Sequence, residues 1–148
     1  MEIQDRLDAT ETLGRLDHTI DQGQLDRLDT VFTPDAVYDM SAVHLPTMQG
    51  ITAIRDGALG LGNENPLAHH VTDIVVMAED GDGSGVTLQS KGLMLTVSGQ
   101  LRSVTHVDSL RRTDGGWRIA RRTIIPQRSP LGGLLDAVGE SDKGVAKR

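Results

Sequence analysis

The chain has no cysteine. Disulfides, thiolate metal sites and thiol nucleophiles are therefore excluded. Aromatic residues are nearly absent: one phenylalanine, one tyrosine and one tryptophan leave no platform on which nucleotide bases could stack. Positive charge is in deficit, with 15 Lys and Arg against 21 Asp and Glu, a formal net charge of -6 and a pI near 5.2. Such a molecule repels phosphate, so nucleic acid is not an expected partner. No apolar run approaches the roughly 18 residues of a membrane span. The opening Met1-Glu2-Ile3-Gln4-Asp5 is polar and acidic, unlike a secretory leader. A cytoplasmic setting, away from membranes, is the expectation.

What remains suits one folded domain. The 148 residues are 37% hydrophobic and 24% charged, enough for a core and for solubility. Ile3, Leu7, Leu13, Leu16 and Ile20 recur at helical spacing and predict a helix over 3–22, ended by Gly23. A second short helix is expected from Leu25 to Phe32, stopped by Thr33-Pro34-Asp35. A strand at Ala36–Met40, a loop through His44 and a third helix at Ile51–Leu61 follow. The period then changes to two. Strands are predicted over 67–79, 86–97, 101–112 and 117–126, joined at Asp80-Gly81-Asp82-Gly83, Ser98-Gly99-Gln100 and Asp114-Gly115-Gly116. The apolar parity slips near Ser90-Lys91-Gly92, which predicts a bulge at Gly92. Helices followed by hairpin-linked strands define an α+β class, a curved antiparallel sheet with helices on one side. The domain is expected over 1–130. Residues 131–148 are expected to be a tail, with Leu131-Gly132-Gly133-Leu134-Leu135 as a lid or subunit contact and a frayed end beyond Gly139.

Asp21 stands out within this pattern. It occupies the last turn of the first helix, the negative end of the helix dipole, where a carboxylate is unfavourable. Placing Asp73 outside turns His70, Thr72, Ile74 and Val76 of the first long strand inward and His69 outward. On the third long strand, His106 and Asp108 share a parity with Val104 and Leu110. On the last, Arg121 shares one with Trp117 and Ile119, leaving Arg122 on a solvated face. Tyr38 has the parity opposite to Val37 and Asp39, from which its hydroxyl can reach an interior pocket. His18, three residues before Asp21, competes with the strand histidine as its partner.

The run Leu16-x-x-x-Ile20-Asp21-x-Gly23-x-Leu25-Asp26-x-Leu28 carries a family likeness. So do Phe32-Thr33-Pro34-Asp35-Ala36-Val37-Tyr38, His70 after Pro66, and Leu110-Arg111-Arg112-Thr113-Asp114-Gly115-Gly116-Trp117-Arg118-Ile119. Over residues 3–126 the sequence resembles the SnoaL-like branch of the nuclear transport factor 2-like superfamily. The resemblance implies a cone, in which a curved antiparallel sheet wraps the N-terminal helices and leaves a deep pocket. The superfamily includes dehydratases, isomerases, polyketide cyclases and non-catalytic binders, so the fold does not fix the function. The nearer likeness is to scytalone dehydratase and hexachlorocyclohexane dehydrochlorinase. These use an aspartate at the end of the first helix and a histidine on the first long strand, matched by Asp21 and His70. The dehydratase's second pocket histidine has no counterpart, since that region reads Lys91-Gly92-Leu93-Met94-Leu95.

The chemistry that follows is acid–base. A carboxylate on one imidazole nitrogen sets the tautomer and stabilises the imidazolium, so the other nitrogen can remove a proton. Asp21 and His70 are the expected catalytic pair, with Tyr38, His106, Asp108 and Arg121 binding the substrate. The expected reaction is of lyase or isomerase type on a small hydrophobic oxygenated molecule. Polyketide-cyclase-like ring closure and non-catalytic binding or subunit assembly are the competing readings. No metal or cofactor is expected. His69 and His70 diverge, no ligand-spaced cluster occurs, and Gly60-Leu61-Gly62 lacks the strand–turn–helix setting of a dinucleotide site. The resemblance makes a homodimer or homotrimer the expected assembly.

Overall fold

The computed structural model describes residues 1–138. Helix α1 spans Ile3–Asp21 and lays Ala9, Thr12, Leu13, Leu16 and Asp17 against the sheet, at the three- and four-residue intervals of one helix face. Its C-terminus is a Schellman closure. Gln24 N–H donates to Thr19 O at 2.9 Å and Gly23 N–H to Ile20 O at 3.0 Å, with Gly23 at φ 66°. Leu25–Thr30 forms a 3-10 helix rather than an α-helix reaching Phe32.

Strand β1 runs Phe32–Asp39, earlier than the predicted Ala36 start. The Thr33-Pro34-Asp35 stop lies inside it. Pro34 is tolerated because β1 loses register with its neighbour between Phe32 and Val37, where no ladder bond is demanded of it. Strand β2 is the short Met48–Gln49, and α2 spans Ile51–Leu61 as predicted. Strands β3 (Ala68–Glu79), β4 (Gly85–Leu95), β5 (Leu101–Thr113) and β6 (Gly116–Pro126) follow within a few residues of their predicted bounds.

The six strands form one curved, unclosed sheet in the order β2-β1-β6-β5-β4-β3. Pairing is antiparallel except between β1 and β6. Helix α1 crosses the concave face over β3 and β6. The core joins Leu13 and Leu16 of α1 to Leu28, Phe32, Leu88 and Ile119, all with at most 2% exposure. Burying these side chains contributes roughly 1.5–3 kcal/mol each relative to leaving them in water.

The sheet's irregularities lie elsewhere than at Gly92. Strand β4 pairs with β5 in one unbroken register from Gly85 to Leu95. Gly92 instead faces inward, where a Cβ would stand 2.5 Å from His106 Cε1 and 2.9 Å from Val104 Cγ2. The glycine makes room for an imidazole. The bulges fall in β3 and β6. In β3, Thr72 pairs with Lys91 and Val75 with Gln89, so Asp73 and Ile74 together oppose Ser90 alone. Asp73 takes the left-handed φ of 52°, which aspartate tolerates better than most residues. In β6, Ile119 pairs with Leu110 and Arg121 with Ser109, leaving Ala120 as the inserted residue. Each bulge reverses the inside–outside alternation of its strand.

Past β6, Pro130–Gly133 makes a further 3-10 turn, and Leu131, Leu134 and Leu135 are exposed. The frayed end expected beyond Gly139 lies outside the described residues. No described helix is long and apolar enough to cross a membrane.

Candidate active site

Between α1, α2 and the concave sheet face lies a cavity of about 380 Å³. Its walls are mainly apolar, including Leu16, Ile20, Met48, Ile54, Met94 and Ile124. Its polar lining is Asp17, Tyr38, Asn65, His69, His106 and Arg122. That composition suits a small organic molecule oriented by a few polar groups.

Asp21 meets a strand histidine at the cavity, and the histidine is His69, not the predicted His70. Asp21 Oδ1 lies 2.6 Å from His69 Nδ1, and Asp21 Oδ2 accepts the His69 backbone N–H at 2.8 Å. Both side chains keep 21% exposure. His70 points to the outer face and is exposed. The cause is the Asp73 bulge: inward parity runs Ile74, Val76 on one side of it and His69, Val71 on the other. Asp21 is an acceptor, so the proton of this short contact resides on Nδ1, and in the neutral imidazole Nε2 then carries the lone pair. Nε2 has no partner among the described residues. His18 is exposed and forms no hydrogen bond or ion pair with Asp21.

The last strand is corrected in the same way. Arg121 faces outward and pairs with Asp39 at 2.6 Å. Arg122 is turned inward by the Ala120 bulge, is 2% exposed and lines the cavity. It donates from Nε to Asp108 Oδ1 at 2.7 Å and from Nη2 to Asp108 Oδ2 at 2.9 Å. Asp108 is fully buried on the predicted inner face of β5 and reaches the cavity only through this guanidinium. Burial opposes the charge on Arg122, but the Asp108 carboxylate outweighs it and holds the guanidinium above its usual range. The pair is neutral as a unit.

Tyr38 lines the cavity beside Arg122, its register partner on β6, and sets its ring edge-on to Phe32 with centroids 6.1 Å apart. Burial raises its phenol, which keeps its proton. His106 also faces the cavity as expected, at 5% exposure. Burial, then the charges of Arg122 and His69, push its imidazole from 6.5 down to about 2. A neutral His106 can orient a substrate oxygen, the binding role expected of it. Its Nδ1 is buried with no partner among the described residues.

Asp17 was not singled out from the sequence, yet it lines the cavity at 8% exposure. The signal was available: Asp17 is four residues after Leu13 and three before Ile20, on the apolar stripe of α1. Burial raises its carboxyl above the ordinary value; Arg122 and His69 oppose this, and Asp21 and Asp108 reinforce it. Among the described residues no group of three or more acidic or histidine side chains converges as a metal site.

A curved sheet wrapped around an N-terminal helix, with an apolar cavity between them, defines a nuclear transport factor 2-like cone. The chain belongs to the SnoaL-like domain family, whose model matches residues 1–123. It is 30% identical over 131 residues to the uncharacterized Mycobacterium tuberculosis protein Rv2910c, covering 82% of this chain and 84% of that one. A nuclear transport factor 2-like protein with a cystatin-like fold from Novosphingobium aromaticivorans superposes with a TM-score of 0.72 at 23% identity, over 90% of this chain and 88% of its own. A protein of the same organism provisionally named a scytalone dehydratase gives 0.68 at 17% identity, over 83% and 85%. These two solved structures support the fold.

Proposed function

We propose that the protein is a cofactor-independent acid–base enzyme that removes a proton from carbon in a small, uncharged, oxygenated molecule. The observation that carries this reading is the 2.6 Å contact between Asp21 and His69 Nδ1, which leaves Nε2 as a base on an apolar cavity. Proton removal beside a carbonyl is the shared first step of elimination, isomerisation and aldol-type ring closure. The reading therefore covers the dehydratase and polyketide-cyclase chemistries found in this superfamily. Tyr38 and His106 supply hydrogen bonds to substrate oxygen, and the Arg122–Asp108 pair a fixed dipole.

The test needs no known product. A panel of neutral cyclic ketones and hydroxyketones is incubated with the protein in deuterium oxide, and exchange at carbons beside the carbonyl is followed by NMR. Exchange that Asp21→Asn and His69→Gln abolish, and His70→Gln leaves intact, supports the reading. Ligands that bind without exchange, or exchange untouched in the first two variants, would favour a binding protein instead.

A further inference from the structure

The dyad leaves one buried acid without a task. Asp17 is 92% buried by its 8% exposure, its side chain lines the cavity, and it makes no ion pair or side-chain hydrogen bond with any described residue. Such a group is costly to keep: a nearly buried carboxylate without a protein partner loses most of its hydration. An alanine or leucine at this point of the α1 stripe would continue the Leu13–Leu16–Ile20 packing. The charged and titratable groups around it come from every element of the cavity: Asp21 one turn on along α1, Tyr38 of β1, His69 of β3, His106 and Asp108 of β5 and Arg122 of β6. The Arg122 charge is already taken up by two bonds to Asp108. No free cation therefore remains among these groups to hold Asp17 ionised.

A second orphan faces the same cavity. His106 Nδ1 is buried and unpartnered, and its ring lies over Gly92, diagonal to its register partner Ser90, where a Cβ would stand 2.5 Å from Cε1. Both side chains line walls that are mainly apolar, and the carboxyl of Asp17 keeps its hydrogen-bonding capacity for a ligand.

We propose that Asp17 is the proton donor of this cavity, giving its hydrogen bond, beside those of Tyr38 and His106, to a carbonyl or hydroxyl oxygen of an uncharged, largely apolar ligand. The raised carboxyl is consistent with this, since only the protonated form donates. The proposal rests on the acid–base reading and names its acid. In enolisation His69 Nε2 takes the proton from carbon, and the C–H electron pair becomes the carbon–carbon double bond. The carbonyl π pair moves to oxygen, which takes the Asp17 proton. A neutral acid and a neutral imidazole become a carboxylate and an imidazolium that attract one another, and reprotonation at carbon restores both. Groups whose surroundings push their proton affinities apart divide the acid and base roles in this way. An anionic substrate is disfavoured, because the guanidinium on the cavity, Arg122, is already bonded to Asp108 and no unpaired cation remains among the described cavity groups to receive it.

Carboxyl carbon-13 NMR reads Asp17 without turnover, its resonance assigned by loss in Asp17→Asn. The probe is 1-tetralone, an uncharged bicyclic ketone, with 1-naphthoate as an anion of similar size. Asp17 is expected to be protonated at neutral pH and its resonance to move on tetralone addition. Tetralone affinity is expected to fall about tenfold as pH rises through the Asp17 titration, and 1-naphthoate to bind about tenfold more weakly. Asp17→Asn, which keeps an N–H donor, should bind tetralone without that pH dependence. An Asp17 ionised at neutral pH, or one whose resonance tetralone at its solubility limit leaves unmoved, overturns the proposal. Deuterium exchange lost in His69→Gln but paired with an unresponsive Asp17 would sink this inference alone. A responsive Asp17 in a protein without exchange would sink the dyad's role alone.

Discussion

Asp21 holds His69 twice, accepting the backbone N–H at 2.8 Å on one oxygen and contacting ring Nδ1 at 2.6 Å with the other. The two contacts fix both the strand position and the imidazole orientation relative to the end of α1. A carboxylate that is unfavourable for its own helix dipole is thereby compensated across the structure.

Neighbouring histidines should therefore behave differently. Once a substrate is found, His69→Gln and Asp21→Asn are expected to lower its rate about 10²–10⁴-fold, the usual contribution of a positioned acid–base group. His70→Gln should leave it unchanged. Steady-state kinetics of the three variants decides, and equal losses at His69 and His70 would contradict the geometry.

The adjacent arginines make the same contrast in stability. Arg122→Met strands a fully buried Asp108 and should cost about 3–5 kcal/mol in urea unfolding. Arg121→Ala removes a half-exposed pair with Asp39 and should cost no more than about 1 kcal/mol. The double variant Arg122→Met with Asp108→Leu should recover much of the loss, because no buried charge is left unpaired.

Two buried groups give opposite pH dependences. His106 has its imidazole lowered from 6.5 to about 2, so below pH 6.5 the unfolded chain binds a proton that the folded chain refuses. Stability should fall with falling pH in that window, by up to about 1.4 kcal/mol per unit from this group. His106→Gln should flatten that limb. Asp17 has its carboxyl raised, so its contribution is present below the unfolded value of 3.8 and is lost as pH rises through the folded one. Asp17→Asn should consequently raise the melting temperature at neutral pH. Denaturation at several pH values for the wild type and both variants measures each difference.

Gly92→Ala tests the space left for His106. A Cβ there would stand 2.5 Å from Cε1 of the ring, so the imidazole must move into the cavity or the strands must part. A loss of about 1–3 kcal/mol is expected, as for other overpacked cores, together with weaker binding of any cavity ligand. Unchanged stability and ligand affinity would show that the ring has room to spare.

Much of this molecule is legible in its residues. Helical spacing from Ile3 to Ile20, Gly23 as the helix end, and the hairpin turns at 80–83 and 114–116 each depend on neighbours in the chain, and each matches the structure. Asp21 is also legible, because an acid at a helix C-terminus conflicts with its own local field. His106 and Asp108 were correctly turned inward because β5 alternates without interruption between Val104 and Asp108.

Local pattern thus determined the α+β class and most of the element order, and the family resemblance pointed to the strand that supplies the histidine. Tertiary structure decided which of two adjacent residues faces the cavity. Counting by twos through β3 selects His70, and through β6 selects Arg121. The inserted residue beside Asp73 in β3 and that at Ala120 in β6 move the assignment to His69 and Arg122. A bulge is a mismatch between two paired strands, so it has no address in either sequence alone. The burial of Asp17 is likewise a property of the closed cone, fixed only when α1 settles on the sheet and removes one acid of its apolar stripe from water.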